Sequence, residues 1–383
     1  MSARPVVVVV AEAAPMRGGI ATFAETITAA PDLQASFDVQ LLNTARVATR
    51  EGGRFTLDNV RFALLDAWQT FRAARRADIV HLQLVADPGL PALRAAALNL
   101  AASAGRAQLV AHVHSAVGNA GRPEYASYGL VSRLALRSLR RARLVCTVSS
   151  AGTAAMRRFA GRTPVVTVDN AVEVGAFAPT RADRVPATLL FVGVICRRKG
   201  TIELARACRL LRERGVAGWR LVVVGGQGPT PEPEYAEIVA EFAEAGLEDA
   251  LVGPEYGDQV KHRLQEADVF VLPSYLEGQP IAIIEAMASG VPVVGTTIGA
   301  VPDLIRDGVD GRVVEPGDVR GLADALEALV TAPALRASMG ASIRERAEKA
   351  HDLTQLSRRL GELYQAVLDG TVADHIVVQE VAR

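Results

Sequence analysis

Residues 273–296, PSYLEGQPIAIIEAMASGVPVVGT, decide how the rest of this 383-residue chain is read. The middle, 280–289, reads as a helix with apolar residues on every side and one carboxylate, Glu285, among them. A helix that is apolar all round is normally buried, and Glu is almost never fully buried unless something pairs with it. A second carboxylate, Glu277, stands just outside the helix start. The flanking runs DVFVLPS and VPVVGT are short, apolar and bounded by Pro or Gly, as buried strands are. Pro280 suits a first helical position and Gly290 the left-handed residue that closes a helix. In such a strand, loop, helix, strand unit the loop opens at the carboxyl end of the sheet. There the N–H groups of residues 278–281 and the positive end of the helix dipole attract an anion, phosphate above all. Glu285, five residues past Pro280, lies about 7.5 Å along the helix axis, where it can face a neutral, hydroxyl-rich group such as a sugar or ribose. The alternative for such a Glu is a core Arg as partner, or solvent at an edge.

Working outward, 383 residues exceed what a single core usually supports, so two domains are expected, and half the residues are hydrophobic, enough for two cores. The 42 basic and 42 acidic residues cancel, which argues against a general nucleic-acid partner. The cancellation hides an asymmetry: residues 1–175 carry 20 Arg, no Lys and 12 acidic residues, a charge of +8, and the remainder carries −8. The first half therefore suits an anionic neighbour. Cys146, Cys196 and Cys208 form no C-x-x-C pair, which fits free thiols in a reducing compartment, the cytoplasm by default. The run VVVVVA is too short for a signal-peptide core, and no apolar stretch is long enough to span a bilayer, so membrane contact is expected to be peripheral.

Along residues 5–175 apolar runs alternate with helical patterns: VVVVVAEAAP, a Gly18-Gly19 turn into IATFAETITAA, then ADIVHLQL, AQLVAHVHS, RLVCTVSS and TPVVTVDN. This is the pattern of an α/β domain with a parallel sheet. The loose, Pro-bearing stretch 172–187 holds the linker, placed at 176–187. A second series follows over 188–355: TLLFVGVI, WRLVVVGGQG, DALVGPEY, ADVFVLPS, VPVVGTTIG and GRVVEPGD. The expectation is two Rossmann-like, doubly wound domains, 1–175 and 188–355, facing across a cleft at their strand carboxyl ends. An amphipathic helix over 356–370 packs back on the first domain, and 371–383 is a tail.

With these residues in view, the chain resembles the GT-B-fold retaining glycosyltransferases of family 4, the glycosyl transferases group 1. Glu277 and Glu285 match that family's E-x7-E motif in EGQPIAIIEAMASGVPVV. The resemblance implies a retaining hexosyltransferase of the EC 2.4 type, moving a hexose from a nucleoside diphosphate sugar to a hydroxyl of a glycan, lipid-linked or small-molecule acceptor in polysaccharide or glycoconjugate biosynthesis. It implies that Glu285 holds the ribose hydroxyls, that Glu277 binds the donor sugar, and that Gly278, Gln279, Pro280 and Ile281 present backbone to the diphosphate. PMRGGIATFAE resembles the phosphate-facing loop of the first domain, through Gly18 and Gly19. In VAHVHSA, His114 resembles the active-site His that contacts the donor sugar, whereas His112, two residues earlier, reads as a satisfied core histidine. Lys199 with Gly200 matches the family's Lys-Gly step, with its ammonium on the diphosphate. The family often carries Arg one residue after the strand Gly; this chain has Val194 there, and Arg197 or Arg198 is the available substitute.

The chain has no D-x-D metal motif, so no cofactor and no metal are expected, the diphosphate being neutralised by Lys199 and backbone. VVVGGQGP resembles the family's second glycine turn but fails as a dinucleotide fingerprint, because Pro229, Pro231 and Pro233 follow where a helix should start. LVSRLALRSLRRARLVC sets Arg133, Arg137, Arg140 and Arg141 together on a basic amphipathic helix, suited either to anionic lipid at the inner face of the membrane or to a solvated face packed down by its leucines. Two other functions fit the same residues: a GT-B sugar-nucleotide epimerase, and a non-catalytic nucleotide-sugar-binding partner protein.

Overall fold

The apolar runs fold as strands, each satisfying its backbone in a parallel ladder. The computed structural model describes residues 3–15, 18–45, 57–115, 129–179, 185–228 and 230–373. The first series is β1 (Val6–Ala11), β2 (Asp38–Asn43), β3 (Ile79–Leu84), β4 (Gln108–Val113), β5 (Leu144–Thr147) and β6 (Val165–Thr167), parallel in the order β2-β1-β3-β4-β5-β6. Parallel sheets are covered by helices on both faces, and β3 is accordingly buried at all six positions. β2 is absent from the strands expected above. It is an edge strand, DVQLLN, in which only Val39 is buried, so its composition carries little apolar signal.

The second series is β7 (Ala187–Val192), β8 (Trp219–Val224), β9 (Leu251–Gly253), β10 (Val269–Leu272), β11 (Val293–Thr296) and β12 (Gly311–Val314), parallel in the order β12-β11-β10-β7-β8-β9. The chain enters this second unit at Ala171 and leaves it at Asp352. The helix Leu353–Asp369 then belongs to the first unit, where it packs on the helix Pro31–Ser36, with the Tyr364 and Phe37 rings edge to face at 5.5 Å. Gly370 ends that helix at φ +73°; tail residues 374–383 and linker residues 180–184 lie outside the described residues. Strand order reverses between β1 and β3 in the first unit and between β7 and β10 in the second. The loops after these strands are where doubly wound sheets take ligands.

Two local readings change. The helix Glu232–Glu244 does follow the GGQG turn, with Pro231 as its N-cap and Pro233 in its first turn. Proline is tolerated there because the first helical N–H groups have no partner inside the helix. The arginine-rich segment is not one helix: Leu130–Leu136 is α-helical and Arg137–Arg141 is a tighter 3₁₀ turn. Its leucines are divided too, since Leu136 and Leu139 are buried while Leu130, Val131 and Leu134 are 73%, 62% and 50% exposed. All three cysteines are free and buried.

Candidate functional site

Two loops of the second unit meet where its strand order reverses. After β7, the turn Arg197–Lys199 leads through Gly200 into the helix Thr201–Glu213. Gly200 has φ +69°, and a Cβ there would lie 1.9 Å from the Pro273 carbonyl oxygen of the loop after β10, so only glycine permits this approach. The contact sets Lys199 Nζ 2.5 Å from Glu277 Oε1. The Ser274 hydroxyl donates to the same oxygen at 2.8 Å, and Thr296 Oγ1 donates to the Ser274 carbonyl at 2.6 Å. From the other side Gly299, at φ +51°, lies where a Cβ would be 2.1 Å from the Glu277 carbonyl, and the Ala300 N–H donates to the Gly278 carbonyl at 2.8 Å. Glu277 is thereby held from three elements and is buried.

The neighbouring arginines differ. Arg197 donates its backbone N–H to Glu234 at 2.8 Å and pairs its guanidinium with Glu237, so it is committed to the helix Glu232–Glu244. Arg198 Nη1 donates to the Leu276 carbonyl at 3.1 Å, on the loop that carries Glu277. Val194 is packed against the glycine turn after β8, where a Cβ on Gly228 would stand 3.0 Å from its Cγ1.

Between β10 and β11 the helix runs Ile281–Ala288, with Pro280 as N-cap rather than first helical residue. Ile283, Ile284, Ala286, Met287 and Ala288 are buried. The N–H groups of Gly278 and Ile281 donate to nothing among the described residues, so they stay available to a ligand. Glu285 is partly buried, and among the described residues no hydrogen bond or ion pair reaches its carboxylate. Burial pushes its pKa up to about 7, against the opposing pull of the Lys261 ammonium. Among the described residues no arginine pairs with it.

In the first unit Gly18 is the N-cap of the helix Gly19–Ala29. Phe23 from that helix meets the His112 and His114 rings edge to face at 4.9 and 5.2 Å. His114 follows β4; its Nε2 lies 2.7 Å from Gln83 Oε1, and its ring stacks on His112 at 4.3 Å. Burial lowers the His114 pKa to about 3. His112 is in the core, as read from the sequence; it faces the Val168 backbone, and among the described residues neither ring nitrogen makes a hydrogen bond of normal distance and angle. It is held by stacking between His114 and His81, whose Nδ1 is 2.7 Å from the Tyr364 hydroxyl.

Lys199, Arg198, Glu277, Gln279, Pro280 and their neighbours thus converge on one loop pair, with Glu285 one helical turn on, while Gly18, Gly19 and His114 gather in the first unit. Sequence reasoning missed Ser274, Thr296, Gly299, Lys261 and Gln83. Ser274 stands inside the opening stretch, directly after a strand, and Gly299 follows the next strand; both positions were visible signals.

The family model "Glycosyltransferase Family 4" matches residues 8–175 and "Glycosyl transferases group 1" matches residues 186–332. The D-inositol 3-phosphate glycosyltransferase of Thermobifida fusca is 31% identical over 286 residues, 69% of this chain and 64% of that protein. WcaL of Escherichia coli K12, named for colanic acid biosynthesis, is 33% identical over 205 residues, 49% of this chain and 47% of that protein. The chain spans about half the length of the curated relatives it matches. Among solved structures, HepE of Anabaena in complex with UDP-glucose superposes with a TM-score of 0.73 at 16% identity, over 95% of this chain and 100% of that one. The fold is that of the GT-B glycosyltransferases, and the chain belongs to their family 4, the glycosyl transferases group 1.

Proposed function

We propose that this protein transfers a hexose, with retention, from a nucleoside diphosphate sugar to a hydroxyl acceptor in polysaccharide or glycoconjugate assembly. The observation that carries the proposal is Glu285, a partly buried carboxylate without a hydrogen-bond or ion-pair partner among the described residues, one turn beyond open N–H groups and a Lys199–Glu277 pair. Glu285 accepts the two ribose hydroxyls, Glu277 orients the donor sugar, and Lys199 with the N–H groups of Gly278 and Ile281 stabilises charge on the departing diphosphate. The diphosphate oxygen takes the acceptor proton while the new bond forms on the face the nucleotide leaves. Neutralisation is assigned to these groups rather than to a metal. His114, in the first unit, bonds a sugar hydroxyl in this reading. The UDP-glucose in the HepE complex supports a nucleoside diphosphate sugar as the donor in this reading. Calorimetric titration with UDP, GDP and ADP tests it: one nucleotide is expected to bind, and binding of none would sink the assignment. Conversion of the matching donor in the absence of acceptor would point to an epimerase instead.

The same reading places the protein at an anionic membrane. Leu130, Val131 and Leu134 are exposed beside Arg133 and Arg137, and Leu64 and Trp68 of the helix Leu57–Ala74 are 67% and 52% exposed, with Arg72 over the Trp68 ring. Both helices pack on the helix Leu90–Ser103. Apolar side chains among arginines suit the boundary between acyl chains and anionic head groups. Sedimentation with vesicles containing phosphatidylglycerol, but not with pure phosphatidylcholine, is expected, and should fall several-fold for Leu130→Glu/Leu134→Glu. Equal partition into both vesicle types would remove the membrane from the reading.

A further inference from the structure

The buried polar groups of the first unit include one that the proposed chemistry does not use: Gln83, 5% exposed, on β3. β3 and β4 pair in parallel with Gln83 opposite His112, and the His114 N–H continues the ladder to the Leu84 carbonyl at 2.9 Å. This register places the Gln83 amide oxygen 2.7 Å from His114 Nε2. A neutral imidazole has one N–H donor and one acceptor nitrogen, and which is which is set by the bond the ring already makes. With the amide oxygen turned to the ring, the arrangement that leaves Gln83 Nε2 buried without a hydrogen-bond partner among the described residues, the amide can only accept, and the proton then sits on His114 Nε2. His114 Nδ1 makes no hydrogen bond among the described residues, and the residue is partly exposed.

We infer that Gln83 is a positioning residue that locks His114 in the Nε2–H tautomer and so presents Nδ1 as an obligate acceptor for a sugar hydroxyl. This rests on the reading of His114 as a sugar contact and adds its polarity: the position takes an O–H donor and rejects a phosphoryl or ether oxygen. The surroundings keep the ring neutral: among the described residues the groups facing it are Phe23 of the helix Gly19–Ala29, Gln83 of β3 and His112 of β4, with His81 beyond, and none of these is a carboxylate or a cation. Burial alone accounts for the low pKa.

The test is a two-bond ¹H–¹⁵N correlation spectrum of the full chain carrying ¹⁵N-histidine, with His114 assigned by the signals missing in His114→Ala. The expected pattern is protonated Nε2 and unprotonated Nδ1; a proton on Nδ1 overturns the proposal. Gln83→Leu is expected to mix the tautomers and lower kcat/KM for transfer about five- to tenfold, the worth of one hydrogen bond, at unchanged nucleotide affinity. Gln83→Glu keeps an accepting oxygen, so it should retain the tautomer and near-normal transfer at alkaline pH while losing activity as pH falls, because a carboxylate also stabilises the imidazolium. An unaltered tautomer in Gln83→Leu contradicts the inference. A lost tautomer with undiminished transfer contradicts instead the placing of His114 at the sugar. Should Gln83→Leu not fold, the wild-type spectrum still decides.

Discussion

Glu285→Ala is expected to weaken nucleoside diphosphate binding roughly 10- to 100-fold, since hydrogen bonds to a charged group contribute about 1.5–3 kcal/mol. The fold should survive the change. Glu285 bonds to no protein group among the described residues, and its burial disfavours the charged form, so its removal relieves a cost in the unliganded protein. Calorimetry of the variant with the nucleotide that binds the wild type checks this, and undiminished affinity would remove Glu285 from the site. Its pH dependence supplies a second check. The pKa is raised from 4.5 to about 7, so between these values the folded protein holds a proton that the unfolded chain has released. This group's contribution to stability therefore declines as pH rises from 4.5 towards 7. Binding runs the other way. Ribose hydroxyls are bonded by the carboxylate, so the proton must leave, and affinity should fall as pH drops below 7, by up to about tenfold per unit. The diphosphate titrates in the same region, so the comparison is with Glu285→Gln, in which this share of the pH dependence should vanish.

Lys199→Ala should lower kcat and kcat/KM together by roughly 10²–10³, the usual effect of removing a group that meets charge developing in the transition state. It should also destabilise the protein. Lys199 and Glu277 are both largely buried, and removing one leaves the other uncompensated, which costs about 3–5 kcal/mol for such pairs. The double variant Lys199→Ala/Glu277→Gln separates the two effects: it should recover much of the thermal stability and none of the turnover. Glu277→Gln alone should mainly reduce turnover, with nucleotide affinity little changed, because its partner is the sugar. A Lys199→Ala enzyme with normal kcat would show the cation to be purely structural.

Much of this protein was legible before its structure. Eleven of the twelve strands lie in apolar runs recognisable by composition, and most of these are buried along nearly their whole length, as strands covered on both faces are. β2 escaped because only Val39 of DVQLLN is buried, so its sequence carries little apolar signal. The arginine-rich segment misled because helical spacing cannot reveal where a helix tightens into a 3₁₀ turn, nor which leucines find a sheet to cover them.

By itself the sequence determined the local grammar: parallel α/β units, a helix with an anomalous carboxylate at Glu285, a loop with free N–H groups ahead of it, and Lys-Gly and Gly-Gly turns beside other strands. These follow from periodicity and backbone preference, which act between residues near in the chain. Only the tertiary structure decided who meets whom. It joined Lys199 to Glu277 across 78 positions through the close approach at Gly200, fixed Glu277 with Ser274 and the Gly299 backbone, and turned Gln83 onto His114 through the β3–β4 register. Charges and hydrogen bonds act over a few ångströms whatever the sequence distance, so such partnerships appear only once strand order and register are set. The same holds for Glu285, whose functional mark is the partner it lacks.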